Sequence, residues 1–153
     1  MAGLKQIFKS QLTDIDTSPM EPLGTIRFEL NAVFKYVKFS GSNAVAAGDA
    51  VCYVATDTNN QTVDGAQTVQ AAGLAMAAVA TAGGIQYGWI QIKGVQQVNT
   101  SWTVPGAVGN ALTSVGATYP ALAVSAAASS PQVGTVVKTG AAATGVINCD
   151  FPF

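Results

Sequence analysis

The stretch Ile85-Gln-Tyr-Gly-Trp-Ile-Gln-Ile-Lys93 decides the fold, because it gathers the best strand formers of the chain. Aromatic and β-branched side chains suit a pleated, half-buried surface. The stretch is preceded by Thr81-Ala-Gly-Gly84, and with residues 73–80 on the far side the whole reads as a hairpin. The Ala-rich run 66–80 has helical propensity. Gly73 and the Gly83-Gly84 pair nevertheless favour a strand there.

Outward from this hairpin the strand signals continue. Thr25-Ile-Arg-Phe-Glu-Leu30 alternates, with Ile26, Phe28 and Leu30 on one face and Thr25, Arg27 and Glu29 on the other. Phe34-Lys-Tyr-Val-Lys-Phe39 reads as a second strand, bounded by Ser40-Gly-Ser-Asn43. Ala50-Val-Cys-Tyr-Val-Ala55 follows the turn Ala47-Gly48-Asp49. Residues 1–22 differ: Leu4, Ile7, Phe8 and Leu12 fall at helical spacing, and Thr13–Pro19 reads as a loop. This segment is either folded back on its own domain or an arm that docks on a neighbour.

The second half repeats the plan of the first. Gly48, Gly73 and Gly84 recur 61 positions later as Gly109, Gly134 and Gly145. Ala47-Gly-Asp-Ala-Val51 matches Val108-Gly-Asn-Ala-Leu112, and turns that need positive φ tolerate little but glycine. The expected architecture is therefore all-β. It would be a compact barrel or sandwich of short antiparallel strands, residues 23–153, from quasi-repeats at about 44–94 and 105–153, preceded by an N-terminal arm, 1–22.

Composition narrows the function. Only 10% of the 153 residues are charged, against about 25% in an ordinary domain. Lys5, Lys9, Asp14, Asp16, Glu21, Arg27, Glu29, Lys35 and Lys38 crowd the N-terminal quarter, and between Gly65 and Asn148 only Lys93 and Lys138 are charged. A surface so poor in charge tends to associate, which favours contact with partners or with further copies of the chain. The net charge of −1 leaves no footprint for nucleic acid. No stretch is apolar enough for a signal peptide or a membrane span. Cys52 and Cys149 form no metal-ligand pattern and suggest a reducing compartment, with a bridge between them left open.

Candidate chemistry is sparse. The chain has no histidine, which removes the commonest general base and the Ser-His and Cys-His arrangements. Asp14 and Asp16 are the one close acidic pair and read as a solvated turn. Asp57-Thr-Asn-Asn-Gln-Thr62 begins like a calcium loop but lacks Gly at its sixth position, and Thr68 stands where the bidentate Glu belongs. Trp89 reads as core, and Trp102 as a possible interface aromatic, since Trp is a frequent hot spot. These observations point to a protein that is not an enzyme and needs no cofactor or metal.

Several phrases carry a resemblance. Pro22-Leu-Gly-Thr-Ile-Arg27, Phe34-Lys-Tyr-Val-Lys38 and Ala46-Ala-Gly-Asp-Ala-Val51 are three of them. Gly73-Leu-Ala-Met-Ala-Ala78 and Tyr87-Gly-Trp-Ile-Gln-Ile-Lys-Gly94 complete the set. Together they resemble the small decoration, or cement, proteins on the heads of tailed bacteriophages. The resemblance covers residues 22–94 well and the second repeat more loosely. It implies a β-rich structural protein of the virion, made in the host cytoplasm and placed on the outer capsid surface. Its partners would be the major capsid protein and itself, as a trimer in preference to a dimer, with no nucleic acid and no membrane. It would clamp adjacent capsid subunits, with Leu4, Ile7, Phe8 and Leu12 as the capsid-binding side chains of the arm. Two alternatives stand beside this. One is a carbohydrate-binding or adhesin module of a head or tail fibre, using exposed Trp102, Tyr119 and Tyr53. The other is a different virion part, such as a head-completion or tail component.

Overall fold

The computed structural model describes residues 7–65, 70–80, 84–97, 106–115, 121–125, 132–139 and 145–152. Among these there is no helix. Eleven strands are present: β1 (Ile15–Asp16), β2 (Ile26–Glu29), β3 (Ala32–Phe39), β4 (Ala50–Tyr53), β5 (Thr62–Asp64), β6 (Ala71–Ala75), β7 (Gln86–Gln97), β8 (Ala111–Val115), β9 (Ala121–Val124), β10 (Gly134–Lys138) and β11 (Val146–Asp150). The fold is all-β, as the alternation and turn chemistry imply.

The strands form one continuous path, β2-β3-β5-β4-β6-β7-β11-β10-β8-β9. A further pairing of β3 with β7 closes β3, β5, β4, β6 and β7 into a five-stranded barrel. β2 extends the barrel from β3, β1 pairs with β7, and β11, β10, β8 and β9 extend from β7 as a second, open sheet. One ladder departs from the antiparallel expectation: β3 and β5 run parallel, Lys38 opposite Thr62 and Phe39 opposite Val63. The antiparallel partner of β5 is β4 instead, so the route from β3 through residues 40–49 reverses direction before β4 begins.

The expected hairpin arms are neighbours, with Leu74 opposite Gln91 and Ala75 opposite Ile90. The first arm sits earlier than 73–80, because the chain leaves the sheet after Ala75 and returns only for the single bridge between Val45 and Val79. The intervening Thr81, Ala82 and Gly83 lie outside the described residues.

The barrel interior is filled from alternate positions. Val37, Phe39, Val51, Val63, Leu74, Ile90 and Ile92 are buried there, and the cluster runs on into the open sheet through Leu112, Val136, Ile147 and Phe151. Lys35 also faces inward and is buried, its ammonium donating to the Tyr53 hydroxyl at 3.0 Å. Cys52 and Cys149 are both buried and both free. Burial, with the Asp64 carboxylate adding to it, pushes the Cys52 thiol up to about 11, and burial pushes Cys149 up to about 12.

The two halves share a turn bond for bond. Gly48 N–H donates to Ala75 O and Gly109 N–H to Val136 O, each at 2.8 Å. Ala46 N–H is capped by the Asp49 carboxylate and Ala107 N–H by the Asn110 side-chain oxygen, each at 2.7 Å. The ladders beside the turns also coincide: Ala50 opposite Leu74 and Val51 opposite Gly73 correspond to Ala111 opposite Thr135 and Leu112 opposite Gly134. Gly48 and Gly109 hold φ of 84° and 90°, a left-handed conformation that costs an L side chain about 1–2 kcal/mol. A Cβ at Gly109 would meet no atom within 4 Å, so the backbone alone sets the cost there. Gly109→Ala should therefore lower unfolding free energy by about 1–2 kcal/mol in urea titration, and a cost near zero would show that the turn is not held left-handed.

Candidate binding surface

The outer face of the β3–β7 pair is apolar and aromatic. Tyr36 and Trp89 are directly opposite, both fully buried, with ring centroids 5.1 Å apart in an edge-to-face arrangement. Residues 7–24 cover this face. Phe8 stands perpendicular to Trp89 at 5.5 Å, the Arg27 guanidinium lies 4.9 Å from the Phe8 ring centre, and Leu12 and Leu23 pack beside them. Such ring pairs add about 0.5–1.5 kcal/mol beyond their buried area. Phe8 and Leu12 are thus turned onto their own domain.

Ile7, by contrast, is 84% exposed, and Leu4 lies outside the described residues. Among the described residues of this segment there is no helix. Residues 7–14 form bends and a turn instead, capped by the Asp14 carboxylate on Gln11 N–H at 2.8 Å, and β1 then pairs with β7 at Gly88 and Tyr87. Backbone pairing and aromatic contact outweigh the marginal stability of so short a helix.

A polar cluster fastens the segment. Asp16 accepts from the Tyr36 hydroxyl and from Ser10 Oγ, each at 2.9 Å, while Met20 N–H donates to the Tyr36 oxygen at 3.2 Å. Arg27 reaches the Ser10 carbonyl at 3.2 Å and pairs with Glu29 at 2.6 Å. Burial pushes the Tyr36 hydroxyl up to about 12, opposed by the Met20 amide and reinforced by the Asp16 carboxylate. The indole N–H of Trp89 has no hydrogen-bond partner, while its ring packs against Phe8 and Tyr36.

Beside this covered face the surface opens into a groove of about 540 Å³, lined in part by Leu12, Leu30, Phe34, Met76 and Val95. Leu30, at φ 51° in the β2–β3 turn, is 100% exposed, and Phe28 is 76% exposed. The alternation of Ile26, Phe28 and Leu30 therefore aims its apolar side outward for Phe28 and Leu30, and β2 ends before Leu30. The groove floor depends on a bend in β7. Gly94 holds φ 95°, and a Cβ there would lie 2.5 Å from the Asn31 carbonyl oxygen. The buried Gln91 amide donates to the carbonyls of Lys93 and Val95 on either side of the bend, at 3.1 and 3.3 Å.

Other sequence candidates fall elsewhere. Tyr53 is 2% exposed and engaged by Lys35, which removes it from any exposed sugar platform. Trp102 and Tyr119 lie outside the described residues. Slight burial pulls the Asp57 carboxyl upward, but amide donors from Asn59, Gln61 and Thr62 outweigh it and hold it below the usual carboxylate range. That loop acid serves its own backbone. No group of three metal-ligating side chains occurs among the described residues.

The Tyr36 cluster fixes a pH dependence. A hydroxyl raised from 10 to about 12 contributes stability that is complete below pH 10 and declines as pH rises from 10 toward 12. The two buried thiols, raised from 9, add a decline that begins at pH 9. Urea midpoints of the parent chain should fall between pH 9 and 11, and Tyr36→Phe should flatten the part above pH 10. An unchanged slope in that variant would show that the hydroxyl is not held neutral by the fold.

No family model matches the chain, and no curated protein matches it. Among solved structures it is similar to the N base of the head fibre protein gp8.5 of bacteriophage phi29. The TM-score is 0.51 at 13% identity, over 76% of this chain and 94% of that one. At this identity the likeness is one of fold.

Proposed function

We propose that this chain is a non-catalytic structural protein of a phage head, seated on the outer capsid surface and clamping adjacent major capsid subunits. The observation that carries the reading is the fold shared with almost the whole of a phage head fibre base. It joins the phrases in residues 22–94 that resemble decoration proteins. The surface is consistent with such a role. Exposed Ile7, Leu30 and Val95 give apolar contact points on a chain with few charges. Many weak contacts repeated over one shell would add by avidity. Binding to the assembled lattice in preference to free subunits would stabilise the shell by linkage.

The same fold likeness also favours a second reading, in which the domain is the base of a fibre and a further module attached to it meets the host. The two differ in what heads gain: a clamp raises their resistance to heat, whereas a fibre base binds without changing it.

Because Phe8 and Leu12 support Trp89 and Tyr36, removing residues 1–22 would disturb the body, and substitutions at exposed positions are the better test. Ile7→Asp and Leu30→Asp should each weaken co-sedimentation with heads at least tenfold, with melting temperatures within a few degrees of the parent. Full binding by the double variant would overturn the assignment of this surface. Failure of the parent chain to bind or stabilise heads would overturn the clamp itself.

A further inference from the structure

The strand path has two ends, and both are open among the described residues. At one end β2 pairs only with β3, and at the other β9 pairs only with β8. Each end strand is four residues long. The ladder bonds show which backbone groups face outward. Ser125 N–H donates to Ala111 O, and Val133 N–H donates to Leu112 O on the other side of β8. Bonded and non-bonded pairs alternate in an antiparallel ladder. Leu122 and Val124 therefore turn their N–H and C=O groups away from β8, to the open edge. By the same alternation, Tyr36 N–H donating to Thr25 O leaves Ile26 and Phe28 with their backbone groups directed away from β3.

The two ends differ in charge: β2 carries Arg27 and Glu29, which pair with each other, whereas β9 carries none. Lysine, proline or a bulge commonly blunts such edges. β9 is Ala-Leu-Ala-Val, and no charged residue occurs between Lys93 and Lys138. Apolar side chains flank both ends: Phe28 on β2 is 76% exposed, and at the other end Val108, Val124 and Val137 are 66%, 38% and 42% exposed. The first half shows how such an edge is covered. β5 stands beside β4 as β9 stands beside β8, and its second edge is filled by β3.

We infer that the β9 edge of one copy pairs with the β2 edge of a second copy, joining two sheets end to end. The occupant is a second copy because the chain itself supplies a matching open edge, equal in length and flanked by apolar side chains. The contact is heterologous, so repeating it gives a closed ring or an open chain of copies. It concerns the protein in solution and does not rest on capsid binding, which is read separately with heads.

Light scattering of the full chain tests it, with Val124→Pro and Phe28→Pro, each of which removes one outward N–H from an edge where proline is tolerated. The parent should be an oligomer. Each variant alone should fall to the mass of one chain while keeping a cooperative melt near that of the parent. An equimolar mixture should stop at two copies, since the sound β9 edge of the Phe28→Pro copy meets the sound β2 edge of the Val124→Pro copy. A monomeric parent would overturn the inference. So would an assembled Phe28→Pro protein beside a monomeric Val124→Pro protein, which would mean β9 pairs with itself. A lowered melting temperature in Val124→Pro without any change of mass would show that the edge is covered within its own chain, and would overturn it equally.

Discussion

The pairing of β3 with β7 is the constraint on which the rest depends. It runs from Phe39 opposite Gln86 to Val33 opposite Lys93 and closes the barrel. Its inner face supplies Val37, Phe39, Ile90 and Ile92 to the core, and its outer face supplies Phe34, Tyr36 and Trp89. A strand pair buried on both faces needs a second covering layer, and residues 7–24 provide it. The position of the N-terminal segment follows from the aromatic content of the barrel wall. A segment with so little regular structure is held because Phe8, Asp16 and Leu23 meet side chains already fixed by the ladder.

The same pair determines where the groove opens. β7 carries β3 along one edge, and β1, β6 and β11 in succession along the other. Serving both the barrel and the open sheet requires a change of direction, and the bend falls at Gly94, where the Asn31 carbonyl comes too close for a side chain. Gln91 then bonds carbonyls that the bend exposes. The groove beside Leu30 and Val95 is a consequence of one strand belonging to two sheets.

Much of this was legible in the sequence, for reasons that separate by residue. β3, β4 and β7 announce themselves through β-branched and aromatic runs between turn residues, and the Gly48 and Gly109 turns through their spacing. Sequence could not show which face of β2 is covered. Phe28 and Leu30 alternate like core residues, and only the topology reveals that nothing in the described chain lies over them. In β3, Phe34 and Tyr36 alternate with Lys35, Val37 and Phe39, and period two alone does not say which set lines the barrel. With both faces covered, that logic loses its sign. The helical spacing that includes Ile7, Phe8 and Leu12 misleads for a related reason: Phe8 and Leu12 fit a turn packed beside Trp89 as well as a helix.

The scarcity of charge gains a structural meaning from the ion pairs and burial. Arg27 pairs with Glu29 and Lys93 with Asp150, Lys35 and Asp64 are buried, and Asp57 is bonded to its own loop. Few charges remain to repel a neighbour or to steer one from a distance. Contacts made by such a surface come from apolar side chains and strand edges, which act at short range and are little affected by salt. Short-range contacts of this kind accumulate where identical copies stand side by side. The physical character of the surface, more than any one residue, sets the short range over which it can make contacts.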